Sequence, residues 1–142
     1  MDLLNFAIDG QYIGLEWAPN HYADLHNNFC FENLHYSSAT ATLKLSWRKS
    51  SSKWARHEPW QALHLLFEGV SYWQVREREP TYPLSEDQTL QHICRTPPEA
   101  RTEFENIYFN EDAQPCWDLT LHFQSEWGIK VSSTTVRLQV ET

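Results

Sequence analysis

Apolar side chains recur at every second position through several stretches of this chain, and a two-residue period belongs to a β-strand with one face on a core. Ala41, Leu43, Leu45 and Trp47 alternate with Thr42, Lys44, Ser46 and Arg48. Trp117, Leu119, Leu121 and Phe123 alternate with Asp118, Thr120, His122 and Gln124, and Val136, Leu138 and Val140 end the chain in the same manner. Leu63, Leu65 and Phe67 begin another strand; after Gly69 the phase passes to Val70 and Tyr72, or to Trp73 and Val75, so Gly69 marks a bulge or bend. A chain of 142 residues buries roughly 68% of its unfolded surface. With 41% hydrophobic and 14% aromatic residues, it can build that core without metal or disulfide. The expectation is one domain over residues 1–142, mainly β, arranged as an antiparallel sandwich, roll or open barrel with one or two short helices.

Turn chemistry adds detail. Asp9-Gly10 lies between two alternating runs and suits a two-residue type I′ turn, which would place Ile8 opposite Gln11, Phe6 opposite Ile13 and Leu4 opposite Leu15. Residues 18–28, with Pro19 and three asparagines, read as a loop. In 29–36, Phe29 and Phe31 are out of phase with Leu34 and Tyr36, which implies a β-bulge between them. Residues 48–58 hold the one basic cluster and no apolar period, so they read as a solvated loop. Ser85 with Gln88 forms a capping box, Glu86 and Asp87 follow, and Leu90, Ile93 and Cys94 share a helical face, so a helix is expected near 86–94. Pro97 can open a second helix, while Phe104–Phe109 favours a strand. A five-residue loop over 124–128 would set Phe123 opposite Ile129 and Leu121 opposite Val131.

The chemistry-bearing residues form no complete set. Three widely spaced cysteines, Cys30, Cys94 and Cys116, suit reduced thiols in a cytoplasmic protein. No signal peptide or membrane-spanning apolar run is visible. His21, Asp24 and His26 are the tightest metal-ligand group, yet no distant partner completes them, so no metal or other cofactor is expected. His64 and His122 fall on polar strand faces and read as solvated; Trp47, Trp73 and Trp117 read as core; Trp54, Trp60 and Trp127 lie in or beside loops. No GxSxG, P-loop or HExxH motif occurs, so an enzyme is not expected.

A formal charge of −8 disfavours nucleic acid and anionic membranes and favours a basic protein partner. Carboxylates cluster between Glu99 and Asp118, and Glu103, Glu105, Glu111 and Asp112, with Tyr108 and Trp127 as aromatic anchors, form the candidate binding set.

The runs Leu25–Leu34, Ala41–Leu45, Leu65–Val70, Trp117–Phe123, Gly128–Val131 and Val136–Val140, in that order, resemble a broad set of small bacterial β proteins. Some of that set are proposed immunity proteins of polymorphic toxin systems. The resemblance implies a toxin-neutralising binding role and no catalytic residues. The alternative from the residues themselves is a carbohydrate- or small-ligand-binding β domain using loop tryptophans.

Overall fold

Twelve strands and four short 3-10 turns make up the regular structure of residues 1–142 in the computed structural model, and no α-helix forms. The strands are β1 (Asp2–Leu3), β2 (Ala7–Ile8), β3 (Gly14–Trp17), β4 (His21–Asp24), β5 (Phe29–Ser37), β6 (Thr42–Lys49), β7 (Ala62–Glu68), β8 (Tyr72–Arg76), β9 (Leu90–Thr96), β10 (Asp118–Phe123), β11 (Gly128–Ser132) and β12 (Thr135–Glu141). They form a five-stranded sheet in the order β1-β12-β7-β6-β5, a four-stranded sheet β8-β11-β10-β9 and a small sheet β2-β3-β4. Only β1 on β12 is parallel. No barrel closes, so β5 and β8 are free edges.

Alternation explains the packing of the five-stranded sheet. Leu43, Leu45, Trp47, Leu63, Leu65, Phe67, Val136 and Leu138 are buried on one face, while Lys44, His64, Arg137 and Glu141 occupy the other. The buried face joins Leu119, Leu121, Phe123, Ile129 and Val131 of the second sheet in one apolar cluster. Phe31 on β5 meets Phe123 on β10 with ring centroids 4.9 Å apart.

The second sheet is covered on both faces at its centre, where every residue of β10 is buried. Its far face carries His92, Cys94 and Thr96 of β9, Asp118, Thr120 and His122 of β10, and Lys130 of β11. An irregular strap, residues 97–117, crosses that face and covers it: the Phe104 ring has the Arg76 guanidinium 4.7 Å and the Lys130 ammonium 4.8 Å from its centroid.

Several expectations hold and several fail for identifiable reasons. The β5 bulge falls between Phe31 and Asn33. Gly69 makes a bend with φ +69°, where a Cβ would also strike Thr134. The first hairpin forms, but Ile8 faces Leu15, not Gln11. The Asp9 carboxylate accepts the amides of Ile13 (2.9 Å) and Gly14 (3.0 Å), and Tyr12, not Gly10, takes the left-handed conformation at φ 62°. The longer loop keeps parity, so Phe6, Ile8 and Leu15 still point into the core. The β10–β11 turn is tighter than expected: Glu126, at φ 70°, closes a three-residue loop that sets Leu121 opposite Ile129.

The helix expected near 86–94 does not exist. A 3-10 turn at Leu84–Gln88 has Pro83 as its cap and no capping side chain, and Leu90–Thr96 is β9. Leu90, Ile93 and Cys94 are all buried because both faces of β9 are covered, which mimics a helical stripe. Around Pro97 only a single 3-10 turn, Pro98–Ala100, forms. Phe104–Phe109 is strap and not strand, since its backbone joins no ladder. The expected loop at 18–28 contains β4, which pairs along β3. Trp47 is core, but Trp73 sits half-exposed on edge strand β8 and Trp117 is half-buried against Tyr108. No helix is long and apolar enough to cross a membrane.

Candidate functional site

The strap carries the acidic residues singled out in the sequence. It holds five carboxylates, Glu99, Glu103, Glu105, Glu111 and Asp112, and one arginine. Proline at 97 and 98 and the short 3-10 turns prevent any long repeat, so the strap is fastened by side chains. Arg101 grips the buried Asp118 through two hydrogen bonds of 2.9 and 3.0 Å and lies 3.9 Å above the Tyr72 ring. The Asn110 amide donates to Tyr12 Oη (2.9 Å) and its side chain to the Ile8 carbonyl (3.1 Å), tying the strap to the first hairpin.

The candidate residues divide. Glu103 accepts hydrogen bonds from Tyr108 Oη (3.0 Å) and Asn106 Nδ2 (3.2 Å), which raises the Tyr108 phenol pKa. Glu105 pairs with Arg76; burial opposes ionisation, but the guanidinium hydrogen bond and backbone amides outweigh it and hold this carboxyl at about 2. Glu111 and Asp112 stand exposed on the 3-10 turn Asn110–Asp112. Tyr108 is half-buried and edge-on to Trp117, so it is no free anchor. The exposed apolar side chains here are instead Ile107 and Phe109, the latter 62% exposed. The sequence offered only their position among acids as a signal.

Trp127 is not part of this surface. It packs against Phe31 and Phe123, with centroids 5.5 and 5.1 Å away, on the opposite face of the second sheet. There it lines a cleft of 680 Å³ between the free edges β5 and β8, with Val75, Leu84 and the ion pair Arg78–Asp87 (2.9 Å).

Beneath the strap lies a polar layer that the sequence concealed. Lys130 Nζ is fully buried, donates to Thr120 Oγ1 (3.0 Å) and Thr96 Oγ1 (3.3 Å), and is pushed down in pKa by burial. His92, buried and 5.1 Å from the His122 ring, faces the Phe104 carbonyl at 3.1 Å; burial first, and His122 second, lower it to about 4. His122 is therefore buried and not solvated as expected, pairing with Glu126 at 3.0 Å. Every polar residue of β10 is enclosed, which explains why alternation alone misassigned this face.

The remaining candidates do not converge. His21 packs edge-on to Trp60, Asp24 accepts from Asn27, and His26 Nδ1 meets the Leu90 carbonyl. Cys94 is buried, Cys30 half-buried and Cys116 exposed. Trp17 and Trp60 are tilted 53° to one another and form no flat platform, and the exposed Trp54 donates its indole N–H to the Asn27 carbonyl (2.8 Å). Comparison with protein-family models, with curated proteins and with solved structures finds no match.

Proposed function

We propose that this domain is a protein-binding module that receives a basic partner on the outer surface of the strap. One observation carries the reading: Ile107 and Phe109 are exposed among Glu103, Glu105, Glu111 and Asp112, and the neighbouring cations Arg76 and Arg101 are already held by carboxylates. Apolar anchors within a charged rim are the arrangement by which a small patch gains both affinity and steering. Neutralising a basic toxin, the role implied by the resemblance, is one instance of such binding.

A second reading rests on a different feature. The cleft beside Trp127 has the size and apolar floor of a small-ligand site.

A pull-down from a lysate of the encoding organism separates the two. The wild-type domain is expected to capture a basic protein, Ile107→Ser with Phe109→Ser to lose it, and Trp127→Ala to keep it. Glu111→Lys with Asp112→Lys should slow association and flatten its salt dependence. Capture that survives both strap variants refutes the strap reading; loss on Trp127→Ala alone moves the site to the cleft.

A further inference from the structure

The face of the five-stranded sheet turned away from the core holds a second constellation, independent of the strap, with Ser46 4% exposed at the floor of a groove. Ser46 on β6 sits directly across from His64 on β7, and His64 is opposite Gln139 on β12, two residues from Glu141 on the same face. Ser46 Oγ is 2.8 Å from His64 Nδ1, and His64 Nε2 is 2.6 Å from Glu141 Oε2. A carboxylate only accepts, so in neutral His64 the proton sits on Nε2, and the Nδ1 lone pair receives the Ser46 hydroxyl proton. The contact with His64 holds the Glu141 carboxyl below its usual range, which keeps this orienting group ionised. A nucleophile on a base, with the base held by a third group, is recognised by geometry whatever the fold or chain order.

The surroundings supply the other parts. A groove of 620 Å³ runs over Ser46 and His64 and is lined by Asn33, His35 and Lys44. The β5 bulge places Asn33 opposite Ser46, and bulges re-aim side chains beside reactive sites. Asn33 and Lys44 are hydrogen-bond donors on the groove wall for an oxygen that gains negative charge.

We infer that Ser46 is a nucleophile activated by His64 and oriented through Glu141, and that this groove accepts small carboxylic esters. Ser46 Oγ bonds to the ester carbonyl carbon while its proton passes to His64 Nδ1. The ester C–O bond then breaks, and the leaving alkoxide takes that proton from His64. Water attacks the acyl-serine, giving its proton to His64 Nδ1; the acyl–Oγ bond breaks and Oγ recovers the proton. Carboxylic acid and alcohol leave, and no oxidant or cofactor is consumed.

The experiment is labelling of the full chain with a fluorophosphonate, peptide mapping of the adduct, and hydrolysis of p-nitrophenyl acetate. The expected adduct lies on Ser46. Ser46→Ala should abolish labelling, His64→Gln should lower hydrolysis about 10²-fold, and Glu141→Gln should lower it less, with unchanged far-UV spectra. Mapping the wild-type adduct needs no variant, so an unstable mutant does not spoil the test. No adduct, an adduct on another residue, or full hydrolysis by folded Ser46→Ala overturns the inference.

Discussion

Gly128 and Phe104 form the clasp that closes the strap, and their coupling is measurable. A Cβ built on Gly128 would lie 2.2 Å from Phe104 Cδ1 and within 2.8 Å of two further ring carbons. Gly128 does not adopt positive φ, so backbone strain does not enter, and the collision is with the ring. Gly128→Ala should displace Phe104 from its contacts with Arg76 and Lys130 at a cost of about 1–3 kcal/mol, the range for overpacking. For a domain of this size, about 2 kcal/mol lowers Tm by roughly 4–8 °C. Phe104→Ala removes a ring that is 1% exposed and should cost about 3–5 kcal/mol. In the double variant the collision has no partner, so adding Gly128→Ala to Phe104→Ala should cost nothing, a coupling of about 2 kcal/mol. Urea unfolding of the four proteins measures this. Cys94, whose Sγ lies 3.7 Å from the Asn106 carbonyl under the strap, adds a local readout, since thiol labelling should accelerate in Phe104→Ala. An equal cost of Gly128→Ala in both backgrounds would refute the clasp.

Two further outcomes test the polar layer. His92 titrates at about 4 when folded against 6.5 for an ordinary imidazole, so the folded state binds fewer protons between those pH values. Stability should therefore fall as pH drops from 6.5 to 4, by on the order of 3 kcal/mol, and His92→Gln should flatten that slope in unfolding curves taken across the range. Glu105, held at about 2, loses its share at lower pH still. Lys130 is a buried cation solvated by two hydroxyls and a ring, so Lys130→Met, which keeps the volume and removes the desolvated charge, should be neutral or stabilising in thermal melts, whereas Lys130→Ala should destabilise by about 2 kcal/mol or more.

Much of the fold was legible because period 2 is local. The β5 bulge, the Gly69 bend and the inward set of β6, β7 and β12 each follow from which neighbours alternate. Register was less accessible. The Asp9 carboxylate chose a longer loop than Asp-Gly favours, and parity could not distinguish Leu15 from Gln11 as the partner of Ile8. The false helix has the opposite origin: a strand covered on both faces loses alternation, and Leu90, Ile93 and Cys94 then fit a helical spacing by coincidence. Ser46 and His64 come from consecutive strands 18 residues apart, but Glu141 lies 77 residues beyond His64, so no local spacing could join the three.

The strap shows why an acidic run needs its underside before it can be read. Four of its polar contacts point inward, at Asp118, His92, Cys94 and Tyr12, and its one fully buried ring is Phe104. Each inward contact fixes backbone on either side of Ile107 and Phe109, so those side chains are presented by an ordered segment although it is neither helix nor strand. Ordering completed during folding is not charged again at binding, and an anchor held this way loses less entropy on association than one on a free loop. The link runs through Phe104: loosening the clasp should weaken capture of a partner even though Phe104 touches none. That effect on binding distinguishes a strap that presents a surface from one that only covers a sheet.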